Sequence, residues 1–184
     1  MTAINERAPS GARSALSGGT LVDRQSYRDA MARFGAAVNV VTTDGPGGRR
    51  GFTASAVCSV TDDPPTLLVC MNRSSDNNAA FKRTGILCVN TLAASQQALS
   101  PVFGGLTGHD MAGRFACAGW TQLATGAPVL EGAVAAFDCR VAQVVEVGTH
   151  SVFFCEVEGV VFEAEHDGLI YFGRDYHRVV TPAG

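Results

Sequence analysis

The sequence predicts a mainly β fold, a closed or split antiparallel barrel with a few short flanking α-helices. Three observations lead to this prediction: six or seven strand-like runs, short turns between them, and no regular alternation of strands with helices. The 184 residues, 46% of them hydrophobic, suit one compact domain with a sizeable core. Residues 1–20, rich in Ser, Gly and Ala, are expected to be a disordered tail, and residues 21–184 to be the domain.

The first expected element is an amphipathic helix. Asp23 can cap its start, and Gly35 stands close to its end. Between them, apolar residues recur at helical spacing: Tyr27, Ala30, Met31 and Phe34. After the helix, two β-rich runs at 36–43 and 51–60 flank a glycine-rich turn at 44–48, and this pattern predicts a hairpin.

The remaining expected elements are mostly strands. Two short, nearly continuous apolar runs at 66–71 and 86–92 predict interior strands, with a short helix at 77–83 between them. Three more strands are expected in the C-terminal third, at 133–147, 152–162 and 169–172.

Composition and motifs exclude several classes of function. The net charge of −3 and the scattered basic residues give no footprint for nucleic acid. A doubly wound nucleotide-binding fold is disfavoured because Arg50 stands where the last glycine of Gly-x-Gly-x-x-Gly belongs, and hydrolase motifs are absent. No metal site is expected, because the six cysteines are too widely spaced for a zinc or dithiol pair. We interpret those cysteines as reduced core residues of a cytosolic protein.

No run in the sequence approaches the roughly 18 apolar residues of a membrane span. The first residues also lack the apolar stretch of a secretory signal. The expected location is therefore the cytoplasm.

Two segments have residues suited to an anionic, planar ligand. In the first, residues 51–60, small and hydroxyl side chains would let a flat ring approach the backbone, although a tightly packed strand pair would have the same composition. In the second, residues 69–75, a strand ends in polar residues before the expected helix, where phosphate can bind. The alternative there is that Ser74, Ser75 or Asp76 only caps the helix.

Two further segments stand near the ends of expected strands. His150, in the turn 148–151, can hydrogen-bond a ligand, or it can be a solvated turn residue. The aromatic and basic run at 171–178 can line a pocket or form a subunit interface. The residues by themselves therefore predict a small barrel that binds a planar anionic ligand.

Taken together, these segments resemble the flavin reductase family, which has the antiparallel, Greek-key, FMN-binding split barrel. The resemblance extends from about Tyr27 to Arg178. Its motifs are the runs at 51–56, 59–60, 64–65, 72–75, 88–92 and 148–150. Within the family, the runs at 37–46, 58–62 and 173–177 resemble members of pyrimidine utilisation, whose reduced FMN goes to a monooxygenase that opens the uracil ring.

The resemblance implies that NADH reduces FMN, with FAD as a possible substitute, and that a partner flavin-dependent monooxygenase receives the reduced flavin. Ten residues are implied to contact the flavin: Thr53, Ala54, Ser55, Ala56, Ser59, Cys70, Met71, Asn72, Ser74 and Ser75. His150 is implied to position the nicotinamide rather than to act as an acid or base. Thr149 stands where many members have Asp, so the role of that carboxylate is absent here.

The resemblance also implies a homodimer with each flavin site near the subunit boundary, and no nucleic-acid or membrane partner. Two alternatives remain open from the sequence. One is the reductase of an aromatic-hydroxylase system that uses FAD or FMN. The other is a barrel that holds FMN without turning over NADH.

Overall fold

The computed structural model describes residues 21–163 and 167–180; the expected tail at 1–20 lies outside them. The strands are β1 (Ala36–Ala37), β2 (Asn39–Thr43), β3 (Arg50–Ala54), β4 (Val57–Asp62), β5 (Pro65–Asn72), β6 (Ile86–Thr91), β7 (Trp120–Gln122), β8 (Pro128–Leu130), β9 (Ala135–Val147), β10 (His150–Phe162), β11 (Gly168–Phe172) and β12 (Asp175–Val179). The helices are α1 (Arg24–Met31), α2 (Asp76–Thr84), α3 (Leu99–Phe103) and α4 (Met111–Phe115), with a 3₁₀ turn at Ala94–Gln96.

Seven strands form one antiparallel sheet in the order β3-β2-β6-β9-β10-β5-β4. Ala54 near one edge and Leu67 near the other belong to the same core cluster, together with Val41, Val69 and Phe153. The sheet therefore curls so that strands near both of its edges contribute to one core cluster. Because β3 and β4 remain the two ends of the strand order, the barrel is of the split type, and the expected fold class is confirmed.

Alternation along β5 and β10 determines which side chains face outward. On β5, Leu67, Val69 and Met71 are buried, whereas Leu68, Cys70 and Asn72 between them are not. On β10, Ser151, Phe153 and Cys155 are buried, and His150, Val152 and Phe154 alternate with them. This period of two leaves one row of each strand on the outer face of the barrel.

Local capping explains where the two longest helices begin. The Asp23 carboxylate accepts hydrogen bonds from the backbone N–H groups of Gln25 (2.9 Å) and Ser26 (3.0 Å), as the sequence predicts for α1. Ser75 caps α2 by accepting from the Asn77 N–H, and Gly85 ends that helix with a φ of 70°. No residue of α1 is buried, so this helix lies on the surface of the described chain.

The hairpin expected around the glycine-rich turn is confirmed, because β2 pairs antiparallel with β3. Two other expectations about the strands were wrong. The run at 51–60 is not a single strand, because Ser55 and Ala56 separate β3 from β4, which lie at opposite edges of the sheet. The described residues also contain twelve strands rather than six or seven. Several of the additional elements lie between residues 93 and 130, where α3, α4 and the β7–β8 pair pack Phe103, Phe115 and Trp120 edge to face or tilted.

Candidate functional site

A cavity of about 630 Å³ opens on the outer face of β4 and β5. Helix α1 and the β11–β12 hairpin form its other walls. Its lining includes Arg28, Ser55, Ala56, Cys70, Tyr171 and Arg174. The volume lies within the ~300–1,000 Å³ range of small-molecule sites.

The link between β3 and β4 forms the floor of this cavity. Ser55 and Ala56 are exposed, and the Cys70 N–H donates to the Ala56 carbonyl (3.0 Å), which fixes the link against β5. Because both side chains are small, a flat ligand can approach the backbone here. This feature agrees with the ligand-binding interpretation of residues 51–60.

The structure brings two of the predicted segments together. In the β5–β10 ladder, Cys70 pairs with Val152 and Asn72 pairs with His150. All four side chains alternate with buried neighbours and therefore share the outer face. His150 thus lies one residue pair along the ladder face from Cys70, which lines the cavity.

The hydroxyl groups after β5 are already hydrogen-bonded within the chain. Asn72 Oδ1 accepts from both the N–H and the hydroxyl of Ser74, each at 2.9 Å. The Ser75 hydroxyl accepts from the Asn77 N–H (3.3 Å), so Ser75 caps α2 in this structure. Asp76 adds a carboxylate to the first turn of α2.

Arg73 is bound to the turn that precedes His150. Its Nε contacts the Glu146 carboxylate (3.0 Å), its Nη1 donates to the Gly148 carbonyl (3.3 Å), and its backbone N–H donates to the Thr149 carbonyl (2.9 Å). Glu146 also accepts from Lys82 Nζ at 2.6 Å. The hydrogen bond from Lys82, followed by weaker contributions that include Arg73, lowers the pKa of the Glu146 carboxyl.

His150 is exposed, and its Nδ1 lies 2.9 Å from the Thr149 hydroxyl. That contact orients the ring, while Nε2 has no hydrogen-bond partner among the described residues. Gly148 has a φ of 54°, a conformation that favours glycine and lets the chain turn from β9 into β10.

None of the other four predicted site residues lines the first cavity with its side chain. Ala54 and Met71 are buried in the core cluster, so only their backbone can face a ligand. The Thr53 hydroxyl donates to the Ser100 carbonyl (2.7 Å). Ser59 lines a second cavity of about 380 Å³ and does not line the first one.

The C-terminal aromatic and basic segment contributes to the first cavity through Tyr171 and Arg174. Gly173 and Arg174 form the two-residue turn of the β11–β12 hairpin, with φ values of 63° and 67°. The Arg174 guanidinium is paired with Asp29 of α1, and the Gly173 N–H donates to the Ala32 carbonyl (2.6 Å). These contacts join the hairpin to α1 and support the pocket interpretation of this segment.

The contribution of α1 to the cavity was missed from the sequence. Gln25, Arg28 and Met31 line the cavity. The sequence predicts the helix from its cap and spacing, but it gives no signal that the helix faces residues about 30 and 145 positions further along the chain.

The cysteines are all free, and the core interpretation is correct for only some of them. Cys88, Cys139 and Cys155 are buried, and burial raises their thiol pKa, that of Cys155 to about 12. Cys58 and Cys117 are exposed, contrary to expectation. Cys70 is half-buried on the cavity wall, and desolvation raises its pKa.

The described ranges contain neither a candidate metal site nor a candidate membrane-spanning helix. Residues 21–163 and 167–180 contain no group of His, Cys, Asp or Glu side chains arranged to hold a metal ion. None of the helices in that part of the chain is long and apolar enough to cross a membrane.

Comparisons with known proteins agree on one family. A family model described as "Flavin reductase like domain" matches residues 31–180. "FMN reductase (NADH) RutF" of Ancylobacter novellus is 62% identical over 164 residues, which cover 89% of this chain and 90% of that protein.

Two solved structures extend the similarity. A crystal structure from Haemophilus somnus 129PT, assigned as a flavin reductase, is 43% identical with a TM-score of 0.83, and it covers 86% of this chain and 100% of that one. BorF, the flavin reductase component of a bacterial two-component tryptophan halogenase, is 28% identical with a TM-score of 0.80, and the match covers 87% and 100% of the two chains.

Proposed function

The chain belongs to the flavin reductase family, and from that premise we propose that it is an NADH-dependent FMN reductase supplying reduced FMN to a separate flavin-dependent monooxygenase. The relatives named FMN reductase (NADH) RutF support both NADH and FMN, because the identity of 62% extends over 89% of the chain. The same relatives support a role in uracil or pyrimidine degradation. The similarity to BorF supports the division of labour between a reductase and a partner enzyme.

The observation that best supports a flavin site is the convergence of Ala56, Cys70, Asn72 and His150 on one outer face. The cavity there fits a planar anionic ligand. Its floor has small side chains, and its described lining contains arginine but no aspartate or glutamate. We therefore place the isoalloxazine ring of FMN against Ser55, Ala56 and Cys70.

The remaining flavin contacts follow from the position of each residue. Asn72, Ser74 and Ser75 lie where β5 meets α2, and they are assigned to the flavin edge and the phosphate. To bind the ligand, the Ser74 and Ser75 hydroxyls have to exchange some of their internal hydrogen bonds for bonds to the flavin. Ala54 and Met71, whose side chains are buried, contribute through the backbone, as does Thr53, whose hydroxyl is bonded to the Ser100 carbonyl. Ser59 lines the second cavity.

Bound FMN supplies the redox chemistry by accepting a hydride from the nicotinamide. The protein contributes position: Ala56 and Cys70 support one flat surface, and His150 restricts where the nicotinamide can lie. Met31, Phe34 and Tyr171 add apolar lining that excludes water from the cavity. This arrangement does not require an acid or a base from the chain, so the exposed His150 is assigned a positioning role.

We also propose that two copies of the chain associate through this outer face. Val152 and Phe154 are half-buried on β10 next to Cys70 and Leu68 of β5. On the neighbouring α1 segment, Tyr27 and Phe34 are 59% and 69% exposed. Apolar surface of this kind marks an interaction site. Sedimentation of the purified protein should give twice the 19.2 kDa chain mass, and a monomer at all concentrations would contradict the assignment.

The function is tested by NADH oxidation with FMN, with FAD and without added flavin. We expect rapid oxidation that saturates with FMN. Turnover only with FAD would assign the chain to the alternative aromatic-hydroxylase type of reductase. Tight FMN binding without turnover would identify a non-catalytic flavin-binding barrel.

A further inference from the structure

Arg28 of α1 lines the cavity, and its guanidinium has no partner among the described residues. Among residues 21–163 and 167–180, no hydrogen bond or ion pair engages this side chain. The acidic neighbour, Asp29, is already occupied: it accepts from Gln25 Nε2 at 3.0 Å and is paired with Arg174. Arg28 is therefore an uncompensated cation in the wall of the proposed flavin site.

The surroundings favour binding of an anion by this group. Arg28 and Arg174 are the two arginines in the described lining, which has no carboxylate. Arg174 is neutralised by Asp29, whose pKa is lowered chiefly by the hydrogen bond from Arg174, so the carboxylate stays charged. Arg28 itself is exposed, so its charge is accessible to an anion that enters the cavity from solvent.

The other end of the proposed site lacks a free cation. Arg73, the arginine nearest the start of α2, is bound to Glu146 and to the Gly148 carbonyl. Lys82 of α2 is also paired with Glu146. Asp76 brings a negative charge to the same helix start. The unpaired positive charge available to a phosphate-bearing ligand in the cavity is therefore that of Arg28 on α1.

We propose that Arg28 binds a phosphate group of a nucleotide in this cavity. The planar guanidinium can donate two hydrogen bonds to one phosphate. The phosphate belongs either to the pyrophosphate of NADH or to FMN, and the chemistry of recognition is the same for both. In the FMN case Ser74 and Ser75 contact the flavin edge alone, and Arg28 replaces them at the phosphate. The inference rests on the proposed function for the identity of the nucleotides, but it concerns a residue on α1 that the sequence motifs do not include.

The test compares Arg28→Gln with Arg24→Gln, a matched exposed arginine on α1 that does not line the cavity. Equilibrium binding is measured by flavin fluorescence for FMN and for riboflavin, which lacks the phosphate. If Arg28 holds the FMN phosphate, Arg28→Gln weakens FMN binding about tenfold or more, the scale of a lost charge-assisted hydrogen bond. Riboflavin affinity stays within about twofold, and Arg24→Gln changes neither constant.

A second arm identifies the other source. If Arg28 holds the pyrophosphate, Arg28→Gln leaves both flavin affinities unchanged but weakens NAD⁺ binding to the FMN-loaded protein about tenfold. Equal losses for FMN and riboflavin, or no loss for FMN and NAD⁺, would overturn the proposal. Thermal unfolding of each variant verifies that the fold is intact. Failure of the wild-type protein to oxidise NADH would refute the proposed function, whereas the FMN-to-riboflavin comparison still tests Arg28.

Discussion

Replacing His150 with alanine should separate NADH use from flavin binding. The side chain is exposed, its one hydrogen bond is to Thr149, and it makes no core contact, so the free energy of unfolding should change by no more than about 0.5 kcal/mol. Loss of a single hydrogen bond to the nicotinamide costs about 0.5–1.5 kcal/mol. At 1.4 kcal/mol for each factor of ten, KM for NADH should rise about two- to twelvefold.

The assay measures KM for NADH by steady-state oxidation and the Kd for FMN by flavin fluorescence on the same preparation. His109→Ala is the matched control, because His109 is also exposed and bonded through Nδ1 to a neighbouring threonine hydroxyl, at 2.8 Å. The Kd for FMN should change less than twofold in His150→Ala. Equal losses of NADH use and FMN binding, or an unchanged KM, would refute the positioning role.

Three further results are expected. Gly51→Ala should lower the free energy of unfolding in urea by about 1–3 kcal/mol, because the new Cβ would lie 2.8 Å from the Phe103 ring; wild-type stability would show that this packing relaxes freely. Glu146 has a lowered pKa, so its stabilising effect is present above its ordinary value near 4.5 and is lost as pH falls below it; Glu146→Gln should flatten the stability profile there, and an unchanged profile would contradict the Lys82 and Arg73 contacts. Saturating FMN should slow alkylation of Cys58, which lines the cavity, but not alkylation of the exposed Cys117. If Cys58 reacts at the same rate with and without FMN, the flavin does not occupy this cavity.

Local signals in the sequence predict much of the fold. Asp23 is a helix cap in both the sequence interpretation and the structure, and its carboxylate bonds two N–H groups of the first turn. The apolar runs at 66–71 and 86–92 form β5 and β6. The continuous hydrophobic character matches the burial of β6, whereas β5 buries only alternate side chains. The short helix between them was also predicted, because polar capping residues precede it.

The missed features depend on contacts between distant residues. Ser55 and Ala56 lead from one edge of the sheet to the other. The local sequence of residues 51–60 does not indicate this break, because the β-rich pattern continues through both residues. β8 is held by the Thr42 hydroxyl, which donates to the Pro128 carbonyl, and by the Asn90 side chain, which accepts from the Leu130 N–H. Such bonds span about 40 to 86 residues, so periodicity cannot reveal them.

The candidate site shows the same division. The motifs single out Asn72 and His150 separately, but only the register of β5 against β10 makes them cross-strand neighbours. Arg28 and Glu146 belong to no motif in the sequence, and their relevance comes from the cavity wall and from the contact with Arg73. Residues that contact a ligand can be proposed from sequence motifs. Residues that orient those contacts or set the charge of the site can be identified only from the three-dimensional structure.

The most direct test of the flavin site is the Kd for FMN of Ala56→Leu. Ala56 is exposed on the cavity floor, so a larger side chain should fill the space assigned to the flavin ring without disturbing the core. Ala79→Leu, at an exposed alanine of α2 outside the cavity lining, is the control. We expect Ala56→Leu to lose FMN binding at least tenfold while Ala79→Leu retains it; wild-type FMN affinity in a folded Ala56→Leu protein would show that the flavin lies elsewhere.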